Sequence, residues 1–301
     1  MYKVLLFLLI FRTGISLCFG QDICVLDSNT KQPIPYVTVK FGNNKGLYAN
    51  EKGLFVIKPD EYSFLELNHI AYNTLKIEKE KVNDTLYMSP KINTLDEVLI
   101  QKNNRPELVL KPEKKAHNYG SFALFPQTEL VTVIHPVTKI VNASVKNVSF
   151  FFSNNVEKMD EADVFKTMDA LVRINIYEVV NAIQEKKLYT SEPLKISSYI
   201  KDGLVLDLSG KEVRWSEKGL CFGLELIGYT HGTEIVYDQQ AFVRPSLTER
   251  QNKMFTSKSY LKYVFDDITN HIPINEILKR GMPDGKEIDR NLIIGLTVIP
   301  E

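Results

Sequence analysis

Short stretches of alternating apolar and polar side chains recur along most of the chain. In residues 35–41, Val37, Val39 and Phe41 fall on one side and Tyr36, Thr38 and Lys40 on the other, and Leu75 and Ile77 alternate with Lys76 and Glu78 in the same way. A period of two is the mark of a strand with one buried face. Clusters of Gly, Pro, Asn and Asp at 27–32, 42–46, 51–53 and 59–61 separate these runs at the roughly 8–12-residue spacing of a β-sandwich, and about seven strands fit before residue 101. Alternation resumes further on. Val172, Ile174 and Ile176 oppose Arg173, Asn175 and Tyr177. Further runs are Leu204, Leu206 and Leu208, then Phe222, Leu224 and Leu226, then Leu292, Ile294, Leu296 and Val298. The pattern predicts an all-β chain in which each strand buries one face. Two excursions are expected to be helical. One is 156–168, with Val156, Met159, Phe165 and Met168 inward; the other is 273–280, opened by Pro273 and followed by Gly281.

The first twenty residues do not fit the alternation. Lys3 precedes the apolar run Val4 to Phe11, and small residues close the segment at Gly20. That is the layout of an export signal, with cleavage expected after Gly20. As a helix the run would extend only about 12 Å, against about 30 Å of bilayer hydrocarbon, so it is not read as a membrane span. A lipoprotein-type signal acylated on Cys18 is the alternative, although Leu17 and Ile15 suit it poorly.

Several landmarks appear in order after the leader. They are Val25 through Val39 (VLDSNTKQPIPYVTV), Asn50 through Phe55 (NEKGLF), Leu65 through Tyr72 (LELNHIAY) and Leu95 through Ile100 (LDEVLI). Together they resemble the carboxypeptidase regulatory-like domain common in exported proteins of Bacteroidota, with Ala71 in place of the usual Gly before Tyr72. The resemblance covers about 21–101 and implies a seven-stranded transthyretin-like sandwich with no catalysis of its own. On the residues alone, Gly53 supplies an unhindered turn, Asn50 can close that turn through its side chain, and Phe55 and Ile57 supply core. The segments 172–177 (VRINIY), 203–209 (GLVLDLS) and 219–228 (GLCFGLELIG) then resemble a C-terminal sandwich that often follows this domain, with Leu226 where that pattern has Trp. The expected division is a signal at 1–20, the regulatory-like sandwich at 21–101, a charged linker with Pro106 and Pro112 at 102–116, and a second, jelly-roll-like sandwich at 117–301.

Composition narrows the chemistry. The 301 residues carry 37 basic and 37 acidic side chains, and losing Lys3 and Arg12 with the leader leaves a slight acidic excess. No basic patch stands out, so nucleic acid is not an expected partner. Cys24 and Cys221 remain in the mature chain, each in an apolar strand context, and are read as buried free thiols. His231 and Glu234 copy the His-x-x-Glu spacing of zinc carboxypeptidases. A catalytic zinc needs a third protein ligand, though, and the glycines around His231 predict a solvated turn. No phosphate loop and no Gly-x-Ser-x-Gly elbow occur. No cofactor, metal or catalytic set is therefore expected. Trp215, Tyr229, Tyr237 and Tyr260 are the candidate ligand surface, as aromatic platforms. The reading is an exported binding or assembly module of the periplasm, outer membrane or extracellular face, with an unidentified envelope protein or carbohydrate as partner. A secreted hydrolase or hydrolase accessory acting on glycan or peptide is the alternative.

Overall fold

The computed structural model describes residues 20–42, 44–91, 107–110, 120–137, 143–153, 168–180, 183–197, 203–237, 243–249, 253–266, 271–280 and 289–300. Nearly all of the expected export signal, the landmark at 95–100 and nearly all of the helix expected at 156–168 lie outside these residues. The chain divides into two compact units, Met1–Lys91 and Ile92–Glu301.

The first unit contains β1 (Gln21–Asp27), β2 (Thr38–Lys40), β3 (Gly46–Tyr48), β4 (Leu54–Ile57), β5 (Phe64–Asn68), β6 (Leu75–Glu78) and β7 (Thr85–Met88). They form a three-stranded sheet, β4-β1-β7, and a four-stranded sheet, β3-β2-β5-β6. The β1–β7 pair is parallel and the others are antiparallel. One core joins the two sheets: Ile23, Val25, Phe55, Leu86 and Met88 come from the first, and Val39, Leu65 and Leu67 from the second. The alternation of β4 is clean, with Phe55 and Ile57 buried and Leu54 and Val56 exposed. The Asn50 side chain closes the preceding turn by accepting the N–H groups of Lys52 and Leu54 at 2.9 and 3.0 Å. Gly53 has φ +70°, and a Cβ there would stand 2.7 Å from the Val25 carbonyl oxygen; only glycine fits that left-handed position against a neighbouring backbone.

Among its described residues the second unit contains β8 (Leu108–Leu110), β9 (Thr128–Pro136), β10 (Ala143–Phe150), β11 (Asp169–Val180), β12 (Ile183–Thr190), β13 (Leu194–Ile196), β14 (Leu204–Asp207), β15 (Arg214–Trp215), β16 (Leu220–His231), β17 (Glu234–Val236), β18 (Leu247–Thr248), β19 (Phe255–Tyr263), β20 (Ile272–Pro273), β21 (Asn291–Leu292) and β22 (Ile294–Pro300), and the helix α1 (Ile274–Arg280). A five-stranded sheet runs β14-β10-β22-β8, with β15 also on β10. An eight-stranded sheet runs β12-β11-β16-β9-β19-β20, with β13 on β11 and β17 on β16, and β18 pairs with β21. Val148, Phe150, Leu296 and Val298 of the smaller sheet share a core with Leu130, Ile174, Phe222 and Leu224 of the larger.

Three expectations are modified. Within the stretch 102–116, read as a linker, Leu108–Leu110 is a strand paired with Val298, Thr297 and Leu296. The helix expected at 273–280 is present at Ile274–Arg280, while Pro273 itself pairs with Tyr260. The third change matters most for the site. β9, β11 and β16 do not bury one face only: Thr128–Ile134, 170–177 and 220–229 are buried without interruption. Strands at the centre of a sheet covered on both sides lose the alternation of burial even when the sequence still alternates.

Candidate functional site

The face of the eight-stranded sheet opposite the main core carries a buried charged row. Register places Arg173 of β11 opposite Glu225 of β16, Glu225 opposite Glu129 of β9, and Glu129 opposite Lys262 of β19. The order across four strands is thus cation, anion, anion, cation. Like charges directly opposite each other destabilise a sheet, and buried charges must be paired. Arg173 Nη1 lies 3.4 Å from Glu225 Oε1, and Lys262 Nζ lies 3.4 Å from Glu129 Oε2, so each carboxylate has its own cation. Glu129 and Glu225 are 1% and 3% exposed, which removes solvent as a competing partner.

The next row supplies the rest of the hydrogen bonding. Asn175 of β11 faces Gly223 of β16, and its Nδ2 donates to Glu129 Oε1 at 2.8 Å and to Glu225 Oε2 at 2.9 Å. One amide nitrogen thereby ties the two carboxylates together, which fixes the amide orientation because both neighbours are acceptors. Its Oδ1 accepts the Thr190 hydroxyl at 2.7 Å. The Tyr177 hydroxyl approaches both oxygens of Glu129, at 2.7 and 2.8 Å. Glu129 reaches these partners by lying over Gly223, where a Cβ would overlap its carboxylate; glycine is required there for side-chain room and not for backbone conformation.

Burial, reinforced by the Glu129 charge, pushes the Tyr177 phenol well above its ordinary range. Cys221, which faces Tyr177 across the strands, is a free thiol driven upward by the same two causes in the same order. It is thus a protonated packing group at neutral pH and not a nucleophile. Val131, Val133 and Val179 complete this face as a small apolar cluster with Tyr177 and Cys221.

The aromatic residues proposed from sequence do not meet on one surface. Trp215 and Tyr229 are each 1% exposed and belong to the main core. Tyr229 is inward because Leu171 pairs with Gly228 and Val172 with Leu226, leaving Ile227 as a bulge residue that reverses the facing of the strand after Leu226. Tyr237 is half-buried beyond β17. Tyr260 is half-buried against the Val131–Cys221 cluster and meets the His271 ring edge-on at 6.2 Å. His231 and Glu234 pair at the root of an exposed hairpin whose turn holds Gly232 at φ +61°, as the solvated-turn reading expects. Among the described residues no three His, Cys, Asp or Glu side chains gather as a metal site.

The charged row was not among the sequence candidates, yet a signal existed. In Leu220 through Tyr229 the only charged residue is Glu225; a run that apolar is buried on both faces, so its single carboxylate must be buried and paired.

No protein-family model matches the chain, and neither the curated proteins nor the solved structures offer a match.

Proposed function

We propose that the chain is an exported, non-enzymatic β-protein acting as a binding or assembly module at the cell envelope. In this reading the first unit is a transthyretin-like regulatory domain and the second a jelly-roll-like sandwich. The observation that carries it is the state of the buried carboxylates. Glu129 and Glu225 bind Arg173, Asn175, Tyr177 and Lys262, so their hydrogen-bonding capacity is spent inside the sheet rather than held toward a substrate. The leader pattern supports export. No helix among the described residues is long and apolar enough to cross a membrane. The partner class is an envelope protein or carbohydrate.

Fractionation of the producing cell, followed by pull-down and glycan-array binding with the mature chain, tests this reading. Saturable binding to an envelope component without turnover is expected. Hydrolysis of peptide or glycan that disappears in Glu129→Gln or Glu225→Gln would overturn it and establish the hydrolase alternative.

A further inference from the structure

The two sheets of the first unit turn different faces outward. Across β2, β5 and β6 one outward row reads Lys40, Glu66, Lys76, the alternating charge of a wetted surface. Across β4, β1 and β7 the corresponding row reads Leu54, Cys24, Thr85, with Val56 beside Asp22 on one side of it and Leu26 beside Tyr87 on the other. Leu54, Val56 and Tyr87 are 40%, 59% and 47% exposed, three of the four large apolar side chains exposed among the described residues of this unit. Cys24 and Leu26 are half-buried between them. Apolar side chains scattered singly over a surface need no explanation, but a contiguous set marks a site of association.

Charge at the two ends of this face selects its occupant. The exposed Asp22 shares the row of Val56. At the opposite end Lys31 holds its Nζ 4.4 Å from the centre of the Tyr87 ring. The exposed Lys52 stands there too, in the turn that enters β4, with its carbonyl 4.0 Å from Cys24 Sγ. The order along the strands is acid, apolar middle, base. Two copies stacked about a two-fold axis running across the strands set the Asp22 end of each over the Lys31 and Lys52 end of the other. An axis along the strands would set Asp22 against Asp22. The first arrangement satisfies both signs, and does so twice, because an isologous contact repeats every pairing.

We propose that this face is the contact between two copies of the chain, with their β4-β1-β7 sheets stacked in antiparallel sense. Stacked sheets lie about 10 Å apart, so Leu26, Leu54, Val56 and Tyr87 of the two copies interdigitate, and each Cys24, in the middle row, faces its counterpart near the axis. Three short strands make a small interface, at the low end of the range for specific contacts, so the dimer forms and dissociates with concentration.

Sedimentation velocity of the mature chain over a concentration series tests this, with a short bis-maleimide as a second readout. Cys221 is 0% exposed, which leaves Cys24 as the accessible thiol of the folded mature chain. A monomer–dimer equilibrium is expected, from which the reagent traps a dimer linked Cys24 to Cys24. Val56→Asp, checked for folding by circular dichroism, is expected to weaken association by about tenfold or more, because the dimer would bury an unpaired carboxylate. Asp22→Lys is expected to weaken it as well, and adding Lys31→Asp and Lys52→Asp to restore it, an exchange of signs to which a purely apolar contact would not respond. A chain that stays monomeric throughout the series would overturn the inference. A dimer that survives Val56→Asp, ignores Asp22→Lys or yields no Cys24–Cys24 link would do the same, as would saturable capture of a different envelope protein by the monomeric chain that is lost in Val56→Asp.

Discussion

In the first unit the buried carboxylate stands at the end of a strand. Asp27 closes β1 and accepts the N–H groups of Asn29 and Thr30 at 2.7 and 2.9 Å, while its other oxygen accepts the Tyr72 hydroxyl at 2.8 Å. In the second unit the buried carboxylates stand in the middle of central strands and are held by side chains from neighbouring strands. The difference concerns what each arrangement specifies. A carboxylate bound to its own turn fixes local backbone and leaves strand pairing to the apolar pattern. A carboxylate bound across strands works only in one register, because sliding a strand by one residue would turn its charged group to the other face.

The comparison predicts that loss of one charge in the second unit costs most. Glu225→Leu leaves Arg173 buried without its carboxylate partner and should destabilise that unit by about 3–5 kcal/mol, read as a lowered denaturation midpoint in urea. The first unit, monitored by its own tyrosine fluorescence in an isolated Gln21–Lys91 fragment, would serve as the unaffected reference if that fragment folds. Gly223→Ala comes next. The added methyl displaces Glu129 from Asn175 and Tyr177 and should cost about 1–3 kcal/mol as overpacking, seen in the same titration; a wild-type midpoint would mean that Glu129 has another stable position. Gly53→Ala puts a side chain at positive φ against the Val25 carbonyl and should cost the first unit about 1–2 kcal/mol, with no change at the buried row.

The smallest effect is expected at Asp27. Hydrogen bonding, led by the Thr30 N–H, holds its carboxyl below the ordinary range. The ionised form therefore contributes stability that is present above the unfolded-state pKa and fades as pH falls through the folded-state value. Tyr72→Phe removes one of the donors, so thermal melts of this variant should show a shallower loss of stability on acidification than the unaltered protein. Identical acid slopes would assign the effect to other carboxylates.

The turn chemistry of the first unit is legible from sequence because its causes are local: Asn50, Gly53 and Phe55 lie within six residues of one another, and each acts on the backbone beside it. The strand pattern of the second unit is legible for the same reason. The placement of its aromatics is not, because Ile227 enters the strand as a bulge and turns Tyr229 inward, which alternation alone cannot register. Leu108–Leu110 is too short, between Pro106 and Pro112, to show a period. Arg173, Asn175 and Tyr177 read as a solvated face because polar residues at every second position usually are. Their burial depends on a second covered side of the sheet, a long-range property.

The position of β22 bears on how the second unit is made. β22 lies between β10 and β8 in the smaller sheet, and Leu110, early in the unit, pairs with Leu296 near its end. Until residues 294–300 have been synthesised, β8 has no neighbour and one side of β10 is unpaired. Closure of the sheet therefore waits for nearly the whole chain, a high-contact-order topology that folds slowly. Under the export proposed above such a delay would be useful: a unit that cannot close this sheet before β22 emerges would stay extended long enough to be threaded through a narrow translocation channel.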